Sequence, residues 1–239
     1  MEKIITYENL RSFAYSSDRL IDGEVKGIVI RFEGLGALKM LSTDPGIAID
    51  LAKKGIIYVI PYYNPWCWMN ESAVSLTDEI IEVLCEKYEL GDNVKIVSSG
   101  LSMGGLSALV YTAYAKITPA ACVTNCPVCD LPYHFTERPD LPRTLYNAFF
   151  DEAEDLQAAM EKRSPLHLAP VMPDVSYHLF HAEWDTAVFK EMHSDKFYEV
   201  MKDSHRITYD AVPKRGHCGL TPEAAKKYEQ YVFEELNAF

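Results

Sequence analysis

Basic side chains are scarce in this chain: 23 Lys and Arg face 35 Asp and Glu, for a formal net charge of −12. Neutralising a polyanion takes clustered Lys and Arg. No such cluster occurs, so a nucleic-acid partner is not expected. Long apolar runs are lacking as well. The opening MEKIITYENLRSFAYSSDRL has no apolar core behind a basic end, so neither a secretory leader nor a membrane span is expected, and a cytoplasmic location follows by default. The six cysteines, at 67, 85, 122, 126, 129 and 218, do not have the spacing of a small disulfide framework. Only Cys126-Pro127-Val128-Cys129 has a motif spacing, and the second such pair that a zinc site would require is missing. Neither a metal nor an organic cofactor is expected. Repeats, low-complexity tracts and linkers are absent too, and 239 residues at 48% hydrophobic suffice for one substantial core. A single domain over 1–239 is expected.

What is present is a rhythm of buried-strand runs and helical periods. Val25–Glu33 (VKGIVIRFE) and Ile56–Ile60 (IIYVI) are nearly continuous apolar runs, the mark of strands covered on both faces. Ala120–Cys126, Val175–His181 and Arg206–Val212 are three more strands, and residues 3–21 are expected to add one or two antiparallel strands at an edge. Asp44-Pro45 reads as N-cap and first helical residue of a short helix closed by Gly55. Between Ser72 and Leu90 the apolar Leu76, Ile80, Leu84 and Tyr88 recur every four positions, an amphipathic helix ending near Gly91. Further helices are expected at about 144–162, 187–202 and 222–236. The alternation calls for an α/β architecture with a mostly parallel sheet and helices on both faces. Prolines at 127, 132, 139, 142 and 165 break the rhythm, so 127–166 is expected to form a small cap over the strand ends.

Residues 94–115, VKIVSSGLSMGGLSALVYTAYA, organise the rest. A strand-like run meets Gly100-Leu101-Ser102-Met103-Gly104 and passes into a helix-like one, the G-x-S-x-G pattern that sets a serine at the apex of a sharp turn. A side chain at 100 or 104 would collide there. Ser102 is the candidate nucleophile. A neutral hydroxyl needs a base within hydrogen-bond reach and a third group to orient that base. Of the histidines, His217 alone lies in a loop after a late strand and before the final helix, where open α/β sheets place their chemistry. His181 closes a strand and is the competitor. The acid is expected after the preceding strand: Asp185 in HAEWDTAV fits best, Glu183 is the closest alternative, and Asp174, Asp195, Asp203 and Asp210 fit worse.

The order Ser102, Asp185, His217, with SPLHLAP at 164–170, HAEWDTAV at 181–188 and GHC at 216–218, resembles the α/β-hydrolase superfamily from about residue 25 onward. Within it the chain is similar to prolyl-oligopeptidase-like and dienelactone-hydrolase-like catalytic domains. The resemblance implies an α/β-hydrolase fold with nucleophile, orienting acid and base at those three positions. Two departures stand out. Glu33-Gly34 replaces the frequent His-Gly after the first central strand, and Ala182 stands where glycine is usual. A carboxylate near a developing oxyanion would oppose it, so Glu33 is expected to point away, to pair with Arg31 or Lys39, or to be protonated. The backbone N–H groups of Met103 and Leu35 are the expected oxyanion hole.

Glu33, Tyr62, Trp66, Trp68, Cys126 and Phe135 are candidate substrate-lining residues, and Cys218 is expected close to the site. The expected activity is that of a serine esterase acting on small or medium acyl esters through an acyl-enzyme. An aminopeptidase or acyl-peptide hydrolase of short peptides is the alternative. A non-catalytic binding protein on the same fold is a third reading.

Overall fold

The computed structural model describes residues 4–37, 40–91, 94–152 and 155–237. Seven strands form one sheet in the order β1-β3-β2-β4-β5-β6-β7. They are β1 (Ala14–Ser16), β2 (Gly27–Phe32), β3 (Ile56–Pro61), β4 (Lys95–Leu101), β5 (Ala121–Asn125), β6 (Ser176–Ala182) and β7 (Arg206–Val212). Only β1 runs antiparallel, against β3; the other pairings are parallel. The amino-terminal segment thus supplies one short edge strand, flanked by 3₁₀ turns at Leu10–Ser12 and Asp18–Leu20.

The apolar runs serve both faces because successive side chains alternate across a strand. Ile28, Ile30 and Phe32 of β2, Ile57 and Val59 of β3 and Ile96 of β4 join one core. That core includes Ile80 and Leu84 of α2 (Glu71–Lys87) and Leu106, Leu109 and Tyr111 of α3 (Met103–Tyr114). Val29, Ile56, Tyr58 and Val97 point to the other face. There they meet Ala48 and Leu51 of α1 (Gly46–Ala52) and Val232 and Leu236 of α9 (Pro222–Asn237).

Between β5 and β6 the proline-rich stretch folds into α4 (Leu131–Glu137), α5 (Leu141–Phe149), α6 (Leu156–Lys162) and α7 (Pro165–Leu168). The single helix expected at 144–162 is therefore two, and Asp155 shows why: its carboxylate accepts from the Ala158 N–H at 2.8 Å and caps a new start. A 3₁₀ turn at Lys190–Met192 and α8 (Ser194–Met201) similarly replace one helix over 187–202. At α1 it is Pro45, not Asp44, that occupies the N-cap. Asp44 accepts from Tyr15 and Arg19 instead, each at 2.7 Å. The left-handed residue ending α2 is Glu89 at φ 53° rather than Gly91, with Leu90 N–H bonding back to Cys85 O at 2.9 Å.

β2 and β3 build outward to one side, β4 to β7 to the other, so the strand order reverses between β2 and β4. In an open α/β sheet that reversal opens a crevice at the carboxyl ends of the strands. The chain segments holding Glu33, Ser102, Cys126, Asp185 and His217 all leave the sheet at that edge.

Candidate active site

Ser102 sits between β4 and α3 with φ 56° and ψ −127°, a backbone state that costs a non-glycine residue roughly 1–3 kcal/mol. The turn around it leaves no room for neighbours. A Cβ on Gly100 would lie 1.9 Å from Gly104 O, and one on Gly104 would lie 2.2 Å from Phe32 O. Ser102 N–H donates to Asn125 O at 3.0 Å, which fixes the apex against the end of β5. A Cβ on Gly34 would lie 3.7 Å from Ser102 Cβ, so the turn carrying Gly34 and Leu35 passes beside the hydroxyl.

The loop after β7 brings His217 Nε2 to 2.9 Å from Ser102 Oγ, and the loop after β6 brings Asp185 Oδ2 to 2.7 Å from His217 Nδ1. Asp185 accepts through its other oxygen from the N–H groups of Ala187 (2.9 Å) and Val188 (3.0 Å). His181 Nε2 donates to Val188 O at 3.0 Å and also lies 3.3 Å from Asp185 Oδ2. His181 Nδ1 accepts from Ser194 at 2.7 Å, so His181 holds the acid's loop and makes no contact with Ser102. Glu183 is exposed; of the two acids in that loop, Asp185 is the one against His217.

Burial alone would push the Asp185 carboxyl up, but hydrogen bonds from His181, His217 and the Val188 N–H hold it well below the usual range. For His217, burial disfavours the charged ring, while the bond to Asp185 and then the Cys218 thiol outweigh it and hold the imidazole up at about 9. Cys218 Sγ lies 3.5 Å from the same Nε2 that faces Ser102. Its thiol is lowered first by the hydrogen bond to Cys126 and then by His217.

The remaining candidates are scattered. Arg31 and Glu33 share the parity of Val29, so their side chains lie on the α9 face. Arg31 donates to the Tyr228 hydroxyl at 3.0 Å and lies 4.0 Å from Glu33 Oε1. Both line a cavity of about 360 Å³ with Tyr58, Ser99 and Tyr228, which answers why a carboxylate is tolerated after β2. Lys39, the other expected partner, lies outside the described residues. Tyr62 lines a second cavity of about 180 Å³ with Glu33, Met40 and Tyr63. Trp66 lines one of about 300 Å³ with Asn64 and Arg143. Phe135 is half-buried against the core. Two expectations need correcting: Trp68 and Cys126 are both fully buried and line no open surface. Trp68 donates to Thr144 Oγ1 at 3.0 Å and anchors α5.

One cluster escapes the motif reading. Glu137 accepts from both His134 Nδ1 and His193 Nε2, the latter at 2.9 Å, and from the Phe189 N–H at 3.3 Å. His193 Nδ1 in turn accepts from the N–H groups of Cys129 and Asp130, each at 3.1 Å. This ties α4 to the segment following Asp185. The only local signal was a His and a Glu three apart on one helix face.

A seven-stranded, mostly parallel sheet with this strand-turn-helix at its centre is the α/β-hydrolase fold, and the chain has it. No family model and no curated protein matches the chain. Among solved structures, the acylaminoacyl peptidase of Pyrococcus horikoshii superposes with a TM-score of 0.70 at 17% identity, over 92% of this chain and 39% of that one. A puromycin hydrolase gives 0.72 at 16% identity, over 90% of this chain and 34% of its own. Esterase B of Lactobacillus Rhamnosis gives 0.68 at 13%, over 91% and 77% respectively. The chain spans little more than a third of the length of the peptidases it matches. Among the described residues, no helix is long and apolar enough to cross a membrane.

Proposed function

We propose that this chain is a serine hydrolase that forms an acyl-enzyme on Ser102, with esters of small or medium carboxylic acids as its substrates. The observation that carries the reading is the continuous relay Ser102 Oγ, His217 Nε2, His217 Nδ1, Asp185 Oδ2 at 2.9 and 2.7 Å. In it His217 takes the serine proton as the hydroxyl attacks the ester carbonyl, then returns it to the leaving alcohol. Asp185 keeps the Nδ1 proton in place and stabilises the imidazolium, so the Nε2 lone pair faces the serine. Water activated by the same nitrogen then releases the acid. The developing oxyanion is held by the Met103 N–H, at the first position of α3 where a helix N–H lacks an intrahelical partner, and by the Leu35 N–H. One such donor contributes on the order of 10²–10³ in turnover.

A second reading, hydrolysis of acyl- or aminoacyl-peptides, is favoured by the likeness to the acylaminoacyl peptidase and puromycin hydrolase. An ester panel run beside N-acyl and free-amine dipeptide amides separates the two by kcat/KM. The mechanism is tested by a fluorophosphonate probe with peptide mapping. An adduct on Ser102, and loss of turnover by about 10⁶ in Ser102→Ala, is the expected result. A folded protein that takes no adduct overturns the reading in favour of a binding protein.

A further inference from the structure

We propose that Cys126, His217 and Cys218 form a binding site for a thiophilic divalent cation of the zinc class, and that its occupancy turns the hydrolase off. The second half rests on the function proposed above. Cys126 Sγ, Cys218 Sγ and a ring nitrogen of His217 all lie within 4.8 Å of one another. A tetrahedral zinc with bonds of about 2.3 Å to sulfur and about 2.0–2.1 Å to nitrogen separates those two ligand atoms by about 3.5 Å. The observed Cys218 Sγ to His217 Nε2 distance is 3.5 Å. That pair already has the spacing of two zinc ligands.

The surroundings suit a metal. His217 Nδ1 faces Asp185 Oδ2 at 2.7 Å, the carboxylate–histidine support that directs the Nε2 lone pair outward in metal sites. Cys126 Sγ accepts from the N–H groups of Ala182 and Cys218, each at 3.3 Å, donors that a metal-bound thiolate would keep, although the hydrogen bond with Cys218 and burial hold the free thiol well above its ordinary range. Cys126 and Cys218 both hold left-handed backbones, φ 48° and 59°, and Asn125 Nδ2 donates to Cys218 O at 2.9 Å, joining the two chain segments. Although Cys126 is buried, Cys218 and His217 are partly exposed, so an ion approaches from their side.

Among the described residues, two other clusters of ligating side chains lack this openness. His193 Nδ1 is taken by two backbone N–H groups, which places its proton on Nε2 toward Glu137. His181 spends one nitrogen on Ser194 and the other on Val188 O. In the proposed site two thiols release their protons to solvent, their two negative charges balance the cation, and His217, which below about pH 9 also gives up its Nε2 proton to solvent, contributes a lone pair. That lone pair is the one Ser102 needs.

Co²⁺ is the probe for the site, titrated into the full chain after chelation and dialysis. A thiolate-to-cobalt charge-transfer band saturating at one equivalent and bleached by Zn²⁺ is expected. Cys218→Ala and Cys126→Ser, each checked for native far-UV circular dichroism, should weaken binding by more than about 100-fold, the upper end for losing even an outer-shell partner. In parallel, the rate of fluorophosphonate labelling is followed with Zn²⁺ at about 100 times its Kd, where occupancy leaves about 1% of the base free. Labelling should slow about 100-fold and recover on adding chelator, and this sensitivity should vanish in either cysteine variant. No band in the wild type, or a band that survives both substitutions, overturns the site. A band accompanied by unchanged labelling overturns the switch. A saturable band on a protein whose Ser102 never labels supports the site and removes the hydrolase reading.

Discussion

At the scale of single residues, the base decides when the proposed enzyme works. His217 must be neutral to accept the serine proton, and its imidazole is held up at about 9, with Asp185 and Cys218 outweighing the opposing effect of burial. The active fraction therefore grows as pH rises, and kcat/KM for a neutral ester should climb between pH 7 and 9 before levelling. Cys218→Ala removes one of the contributions that raise it, so the limb should move to lower pH; a pH–rate profile of both proteins checks this. The turn makes a second prediction. Because a Cβ on Gly104 would lie 2.2 Å from a backbone oxygen, Gly104→Ala should cost more than about 4 kcal/mol, read by thermal melting or loss of soluble protein. That Ser102, Asp185 and His217 would approach one another was legible because each follows a recognisable strand. Trp68 was not: it is buried in the core and its indole N–H donates to Thr144, 76 positions away, and no local pattern encodes that contact. Glu33 was half legible. The sequence posed the electrostatic problem, and the parity of β2 resolved it by carrying the side chain to the Arg31 face.

At the scale of elements, Glu137 joins α4 to the stretch between Asp185 and α8. Its side chain is only 2% exposed, and although burial alone would raise it, the hydrogen bonds from His134 and His193 lower its pKa to about 2. A carboxylate with a depressed pKa adds stability that is present above its ordinary value of 4.5 and lost as pH falls through about 2. Glu137→Gln keeps the shape but turns an N–H₂ group toward ring N–H donors. It should cost about 1–3 kcal/mol at neutral pH, or roughly 2–4 °C in Tm per kcal/mol for a chain of this size. The gap between variant and wild type should close as the pH of the melt is lowered from 4.5 toward 2. The strands were legible within a residue or two because apolar runs and parallel pairing enforce each other. The helices of the 127–166 stretch were less so: prolines announced an interruption, but where each helix starts depends on caps such as Asp155, whose role shows only once the backbone has turned.

At the scale of the whole molecule, one sheet divides two cores, and its middle strands feed both with alternate residues. Neither core can dissolve while the other keeps those strands in register. Urea unfolding followed by tryptophan fluorescence and by far-UV circular dichroism should therefore give coincident transitions; separated midpoints would show that the helices between β5 and β6 melt independently. The Glu137 clamp has a practical corollary for anyone who would graft new specificity onto this scaffold. The helices between β5 and β6 cannot be exchanged as a cassette by themselves, because α4 grips the stretch that follows Asp185. A transplant that keeps Asp185 against His217 would have to move residues 131–162 and 185–193 together, two distant stretches of the chain inherited as one part.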